Sequence, residues 1–511
     1  MTPILATLPI IIILVLMVGY RWGAARAGAA GYIPALFVSI AFFGANAYVL
    51  AYAHTKAILL TFDVLFIIWA AYLLYRVSDE AGAIQTIGEA LRQLTSDKGM
   101  QAILIGWVFA SFLQGTGGFG VPVAVTAPLL VGLGFSPLAA VVIPTIGHGW
   151  AVTFGSLGSS FNAMISATGL EAGLLAPSSA LFLGLAALPT GLMVVHAADG
   201  LNGVKRLFAK ALIIGSVMGG VQYFVAVNLG LWNIGAFSGG LAGLIVGVAI
   251  ARWGEAGTKS RKRIEAKPLL IALSAYLVLI FITASILLLP SENPLKDVLG
   301  QIAIKIHFPE TITDLGFVSP AGTNKPIYIF KHAGAILLYA SAAAFVIYKR
   351  AGLYAEGVGK KILNDTVRKM VSSSLSIALM VAMAVVMQQS GMTEALAQGL
   401  ADSVGTAYPL AASWIGAIGA FITGSNTNSN VIFAALQMRT AELLSYGVPI
   451  ILAAQTSGAA LASVVAPAKL IVGASTAGME GKEGQVMRAV IGYSGGLVLF
   501  IGLLTILAII F

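Results

Sequence analysis

Thr423-Gly424-Ser425-Asn426-Thr427-Asn428-Ser429-Asn430 sits in the middle of an otherwise apolar stretch, 410–443. Gln114-Gly115-Thr116-Gly117-Gly118-Phe119-Gly120 sits in the middle of another, 101–134. Each run splits its stretch into halves too short to cross a bilayer core, which takes about 20 helical residues. Backbone that breaks at membrane depth is tolerated only where it is buried in protein or lines a cavity. Both stretches are therefore expected to be re-entrant hairpins with their tips at mid-membrane.

Of 511 residues, 58% are hydrophobic and 10% charged, and the mean hydropathy is +0.93. A soluble domain carries about 25% charged residues, so membrane lipid must cover most of this surface. Apolar runs recur at 3–20, 32–53, 57–75, 136–157, 176–198, 208–229, 234–251, 268–289, 333–348, 371–388, 446–465 and 487–510. They predict an all-α polytopic membrane protein of about twelve transmembrane helices plus the two hairpins, without the alternation of a membrane barrel. The first run lacks a preceding basic residue and a cleavage site followed by a soluble domain, so it reads as a retained span.

The chain has no cysteine, which removes disulfides, thiolate metal sites and cysteine nucleophiles. Its net charge of +9 is the excess that cytoplasmic loops carry, not a sign of nucleic-acid binding. Arg21 and Arg26, Lys205 and Arg206, Arg252 through Lys267, Lys349 through Lys369, and Lys482 with Arg488 share one side if the spans alternate. That side is the cytoplasm. Both termini and the long polar loop 291–331 then lie outside a cell (inner) membrane.

The chain also repeats itself. A shift of 309 residues pairs Gly82 with Gly391, Leu91 with Leu400, Phe112 with Phe421, Gly115 with Gly424 and Thr116 with Ser425. The same shift pairs Ser136 with Ser445, Gly149 with Gly458, and Ser166, Gly169 and Glu171 with Ser475, Gly478 and Glu480. Loop charge has the first hairpin entering from the cytoplasm and the second from outside, so the copies are expected to be inverted repeats. Interrupted helices meeting at the midplane of inverted repeats are a common build of secondary transporters. An amphipathic helix precedes each hairpin, carrying Ile84, Ile87, Leu91 and Leu94 in one copy and Met392, Leu396 and Leu400 in the other. The expected organisation is N-terminal spans over 1–56, a first repeat over 57–171, linking spans over 172–370, a second repeat over 371–480 and a C-terminal span over 481–511. Glu171 and Glu480, at matched span ends, read as caps.

A helix ending at mid-membrane presents unpaired N–H groups and a partial positive charge. Two such ends facing each other make a site for a small anion. The candidate binding residues are Gln114, Gly115, Thr116, Gly117 and Gly118 at the first tip and Ser425, Asn426, Thr427, Asn428 and Ser429 at the second. Gln455, Thr456 and Ser457 lie near them. Glycine lets backbone approach a ligand closely, and the hydroxyls and amides suit a carboxylate with a neighbouring hydroxyl. Small residues also seal helix contacts in membranes, and that alternative stays open for the glycine run above all.

Phe112-Leu113-Gln114-Gly115-Thr116-Gly117-Gly118-Phe119-Gly120-Val121-Pro122-Val123-Ala124, followed by Leu130-Val131-Gly132-Leu133-Gly134-Phe135, resembles the lactate permease family. So does Thr423 to Asn430 with Phe433-Ala434-Ala435-Leu436-Gln437, and the resemblance covers most of the chain. It implies a symporter that moves L-lactate, glycolate or a similar small 2-hydroxy monocarboxylate with protons. The Ser425-Asn426-Thr427 triplet also resembles the tips of sodium-coupled carboxylate transporters, which implies a homodimer and an elevator-type motion. A sodium-coupled carrier of another organic anion and an anion channel are the alternatives. No serine–histidine dyad, paired-aspartate motif or His-Glu-x-x-His occurs, and the five histidines form no cluster, so neither an enzyme, a metal nor a cofactor is expected.

Ionisable residues inside spans are functional candidates. Here they are Asp63, His148 and Lys469, while amides stand at Gln114 and Asn426. Histidine titrates nearest neutrality, and His148 matches Ser457 beside the second hairpin, so it is the favoured proton carrier. A neutral core histidine is the alternative there. Lys469 either serves the site or snorkels to the cytoplasmic face. Asp63 is either a proton relay or the partner of a basic residue near the outer face.

Overall fold

The computed structural model describes residues 2–20, 22–118, 120–254, 266–287, 298–324, 326–480 and 482–510. Arg21, Phe119, the basic residues Lys259, Arg261, Lys262 and Arg263, and part of the long loop lie outside them.

Ten helical stretches among the described residues are long and apolar enough to cross a bilayer, against the twelve expected, and two of them, Pro137–Thr168 and Met392–Thr423, are interrupted by turns. Ala172–Asn228 runs for 57 residues, and at 1.5 Å per residue its length of about 85 Å accommodates two crossings. Gly200, at φ 64 and ψ −161, divides them. Thr2–Val18 and Val448–Ser463 are shorter, at 17 and 16 residues. The multi-span all-helical architecture expected from composition is therefore present.

Two span boundaries differ from the hydropathy reading. The expected spans 32–53 and 57–75 meet in the wrong place, because Ala24–Phe43 ends at Gly44 (φ 67) and Ala47–Glu80 begins at once. Asn46 caps that second helix by accepting the Val49 N–H at 3.0 Å. Apolar residues run straight through this corner, so hydropathy does not register it; a left-handed glycine followed by an asparagine cap does. The boundary drawn at 56 accordingly falls inside a helix. The expected span 136–157 is also not one helix. Pro137–Gly147 stops, the chain passes through the tight turns Gly149–Ala151 and Ser156–Gly158, and Ser159–Thr168 resumes.

Helix boundaries recur at the 309-residue offset well beyond the stretch visible in sequence. Ala24–Phe43 matches Ala333–Arg350, Ala47–Glu80 matches Val358–Gln389, and Ala83–Arg92 matches Met392–Val404. Pro137–Gly147 and Ser159–Thr168 match Val448–Ser463 and Pro467–Thr476. Left-handed glycines recur with them: Gly82 (φ 69) with Gly391 (φ 86), and Gly169 (φ 73) with Gly478 (φ 70). Glu171 stands just before Ala172–Tyr223, but its side chain makes no capping bond.

Packing is reciprocal between the copies. Ala47–Glu80 packs on Val358–Gln389 and Ala333–Arg350, and Val358–Gln389 packs on Ala24–Phe43. These four helices form a frame. The other group is the hairpin unit. Its first hairpin joins Ala110–Thr116 to Val121–Gly132, and its second joins Tyr408–Thr423 to Asn426–Leu443. Val121–Gly132 packs on Pro467–Thr476, and Asn426–Leu443 packs on Ser159–Thr168, so each hairpin leans on the short helix of the opposite copy.

The expected polar loop is, over 303–328, a β-ribbon. Ala303–Ile304 pairs with Ile327–Tyr328, His307–Phe308 with Gly322–Thr323, and Thr311–Ile312 with Val318–Ser319, all antiparallel. At its tip the Asp314 N–H donates to Gly44 O at 2.7 Å, and the Asp314 carboxylate accepts from Asn46 Nδ2 at 3.0 Å. The ribbon thus clamps the frame corner at 44–46.

Candidate functional site at the two hairpin tips

The second tip is a helix start. Gly424 turns the chain at φ 72, and Ser425 caps Asn426–Leu443 by accepting the Asn428 N–H at 3.3 Å. Asn426, Thr427 and Asn430 share one face of that helix. Asn426 Nδ2 donates to Thr153 Oγ1 at 3.0 Å, and Thr427 Oγ1 lies 3.0 Å from Ser160 Oγ. Asn430 Nδ2 donates to Thr456 Oγ1 and to Ser160 O, each at 2.9 Å, and Thr153 Oγ1 lies 3.2 Å from Thr456 Oγ1.

Ser429 points the other way. Its hydroxyl donates to Gly416 O at 2.8 Å and accepts from Gln455 Nε2 at 3.1 Å. Gln455 Oε1 accepts from Gln437 Nε2 at 2.9 Å, and Gln437 Oε1 accepts from Tyr408 at 2.6 Å. These fully buried groups bind the two hairpin arms to each other and to Val448–Ser463, so they hold the tip in place from behind.

The first tip docks on the broken span. A Cβ added at Gly118 would lie 2.4 Å from Ser156 Oγ, and one at Gly155 would lie 2.8 Å from Gln114 Nε2. Only bare backbone fits at such an approach. Gly115 faces the Phe237 backbone, with a Cβ-to-Cα distance of 2.5 Å, and so serves helix packing. The Thr116 hydroxyl donates to Leu113 O of its own helix at 3.2 Å. Gly117 passes beside the ring of Tyr75. Ser156 and Leu157 both adopt positive φ, at 46 and 53, a conformation that costs about 1–3 kcal/mol per non-glycine residue. The segment 148–160 therefore runs between the tips, with Gly155 and Ser156 against the first and Thr153 and Ser160 against the second.

Several buried polar atoms around this crossing have no hydrogen-bond partner among the described residues: Asn426 Oδ1, Asn428 Oδ1, Asn430 Oδ1, Ser457 Oγ and His148 Nε2. Each such group costs about 1–3 kcal/mol unless something bonds it, and native proteins keep few of them. His148 ends Pro137–Gly147, with Nδ1 bonded to Pro144 O at 2.6 Å. That bond places the proton on Nδ1 and leaves Nε2 as an acceptor. Lys469 stands near His148. Its Nζ donates to Ser463 Oγ at 3.1 Å. The offset that matches Ser160 with Lys469 also matches Thr427 with Gly118, so Lys469 and Ser160 occupy matched positions in the two copies. Asp63 lies apart from the tips, bonded to Asn162, Ser166 and His332.

Over residues 2–511 the chain matches the L-lactate permease family. It is a member of that family. The L-lactate permease of Salmonella typhimurium is 27% identical over 86% of this chain and 83% of its own. The glycolate permease GlcA of Escherichia coli K12 is 26% identical over 99% of this chain and 95% of its own. In fold the chain is similar to the YdaH transporter of Alcanivorax borkumensis, with a TM-score of 0.52 over 90% of this chain and 89% of that one at 16% identity. The relatives are permeases, so the family is one of membrane transporters and not of enzymes.

In this permease the sequence reading missed Thr153, Ser156, Ser160 and His332. The first three lie in Thr153-Phe154-Gly155-Ser156-Leu157-Gly158-Ser159-Ser160, a small and polar cluster of the kind that breaks a span, whose first five residues hydropathy assigns to the expected span 136–157. His332 carries no such local signal, because its partner lies 269 residues away.

Proposed function

We propose that this permease is a proton-coupled symporter of L-lactate, glycolate or a closely similar 2-hydroxy monocarboxylate. One observation supports the reading above all: two hairpin tips and a broken span converge on unpartnered polar atoms, with the half-buried Lys469 ammonium on the same unit. Lys469 supplies the charge that a carboxylate needs in a low-dielectric site. Either His148 Nε2 or the Asn426 amide oxygen accepts the one proton of the 2-hydroxyl, and a neutral imidazole there avoids a second positive charge beside Lys469. The Gly117–Gly118 backbone closes one side of the anion.

L-lactate and glycolate, for which these relatives are named, share the carboxylate and the adjacent hydroxyl that such a site distinguishes. Moving a monocarboxylate inward opposes the membrane potential at about 2.3 kcal/mol per charge per 100 mV, and a co-transported proton cancels that charge. In the same reading the copies are inverted, both termini face outside, and the hairpin unit moves past the frame in an elevator-type homodimer. A sodium-coupled reading draws on the unpartnered Asn426 and Asn430 oxygens, which are hard ligands of the kind that coordinate sodium in interrupted-helix transporters.

Uptake of radiolabelled L-lactate and glycolate into proteoliposomes tests the reading. Saturable exchange and accumulation under an imposed pH gradient are expected. Linear, unsaturable flux would indicate a channel, and accumulation under a sodium gradient alone would replace the proton.

A further inference from the structure

The frame and the hairpin unit are joined by a buried carboxylate. Asp63, on the frame helix Ala47–Glu80, accepts from Asn162 Nδ2 at 2.6 Å and from Ser166 Oγ at 2.8 Å through Oδ2. Its Oδ1 accepts from His332 Nε2 at 2.8 Å. Asn162 and Ser166 are one turn apart on Ser159–Thr168, the helix that leans on the second hairpin.

The state of His332 follows from its other nitrogen. Nδ1 accepts the Gly334 N–H at 3.2 Å and so caps Ala333–Arg350. That nitrogen carries the lone pair, so the proton sits on Nε2 and the ring is neutral. The ring also stacks on Phe66 at 4.9 Å with an interplanar angle of 1°, which fixes its direction. The carboxylate therefore has three donors, no neutralising cation and a side chain only 13% exposed.

No other charged group among the described residues competes for it. Lys331, next to His332, has Nζ 3.8 Å over the Tyr328 ring. On the same helix Lys56 is bonded to Gln389 of Val358–Gln389, and Arg76 is paired with Asp79, Glu80 and Asp365. These lie about 10 and 20 Å along the helix axis from Asp63.

We propose that Asp63 is the group on which the coupling proton rides, and that Ser159–Thr168 links it to the substrate site. An O–H bond forms on the Asp63 carboxylate with a proton taken from water on one side of the membrane. The same bond breaks to water on the other side. Beside the cluster lies a small cleft lined by Leu60, Val64, Ser166, Gln388 and Val431, with about 20 Å³ of water-sized space next to Ser166, one of the carboxylate's donors. Hydrogen bonds to an ionised carboxylate are roughly twice as strong as neutral ones. Protonation therefore changes how firmly the frame holds Asn162 and Ser166. The same ten-residue helix carries Ser160, whose hydroxyl meets Thr427 at the second tip. Proton and substrate thus act on opposite ends of one rigid element.

The proposal rests on the proton-symport reading above, and two assays on the full-length protein in proteoliposomes separate the two. Exchange of internal for external L-lactate at equal pH needs no net proton release; accumulation under a pH gradient does. Wild-type protein accumulates about tenfold for one proton across one pH unit. Asp63→Asn is expected to exchange at close to the wild-type rate while its accumulation ratio falls to about one, and Asp63→Glu is expected to restore accumulation. Ser166→Ala keeps the charge and removes one donor; it is expected to shift the pH dependence of accumulation while exchange persists. Wild-type accumulation by Asp63→Asn would overturn the proposal. So would joint loss of exchange and accumulation in Asp63→Asn with no recovery in Asp63→Glu, or an unmoved pH dependence in Ser166→Ala. A wild-type protein that neither exchanges nor accumulates lactate or glycolate, or that sodium alone drives, would instead sink the symport reading itself.

Discussion

Replacing Lys469 by methionine tests the substrate site most directly. The two side chains are of similar length, so the change removes a charge with little change in packing. Lys469 Nζ bonds Ser463 Oγ, a charge-assisted contact that contributes about 1.5–3 kcal/mol, and losing it is partly offset because the ammonium no longer has to be desolvated. The folded protein is therefore expected to persist. Binding is a different matter. A hydrogen bond between an ammonium and a carboxylate contributes about 1.5–3 kcal/mol, which corresponds to roughly a ten- to 150-fold weaker Kd. Calorimetric titration of L-lactate into detergent-purified Lys469→Met measures that loss, and the KM for exchange in proteoliposomes should rise in parallel. Lys469→Arg, which keeps the charge but changes its shape, should fall between the two. A Kd within about twofold of wild type in a folded Lys469→Met protein would remove Lys469 from the site and with it the anchoring role of the ammonium.

Other outcomes follow from the same geometry. Thr153→Val keeps the shape but leaves Asn426 Nδ2 without its acceptor; an unpaired buried donor costs about 1–3 kcal/mol, visible as a lower Tm and weaker lactate binding. Gly115→Ala places a Cβ 2.5 Å from the Phe237 Cα; overpacking of this kind costs about 1–3 kcal/mol, so folded yield should fall while the KM of the surviving protein stays unchanged. The chain has no cysteine, so single cysteines report sidedness cleanly. Those flanking Gly424 should react with an impermeant reagent from outside and those flanking Gly115 from the cytoplasm; reaction of both sets from one side would refute the inverted arrangement.

Composition alone determined that this chain lives in a membrane, because so few charges cannot coat a soluble surface. The internal repeat was legible from Gly82 to Glu171, since its glycines mark backbone conformations that other residues resist, and both copies kept them at Gly82, Gly391, Gly169 and Gly478. The two helix breaks at 117–120 and 424–425 were legible for a related reason: six polar residues in a row at 425–430 have no place in a continuous span. Hydropathy could not see the corner at 44–46 or the break at 148–158, where apolar character continues while the backbone turns.

What only the tertiary structure decided is which polar group meets which. Asn426 finds Thr153 across 273 residues, and Asp63 finds His332 across 269. The polar run at the second tip divides by helical direction, so that Asn426, Thr427 and Asn430 face the broken span while Ser429 ties the hairpin arms together. In a bilayer core there is no water to bond a polar group, so most buried ones are met by a neighbouring helix. The partner is supplied by whichever helix packs alongside, and that adjacency is a property of the assembled bundle.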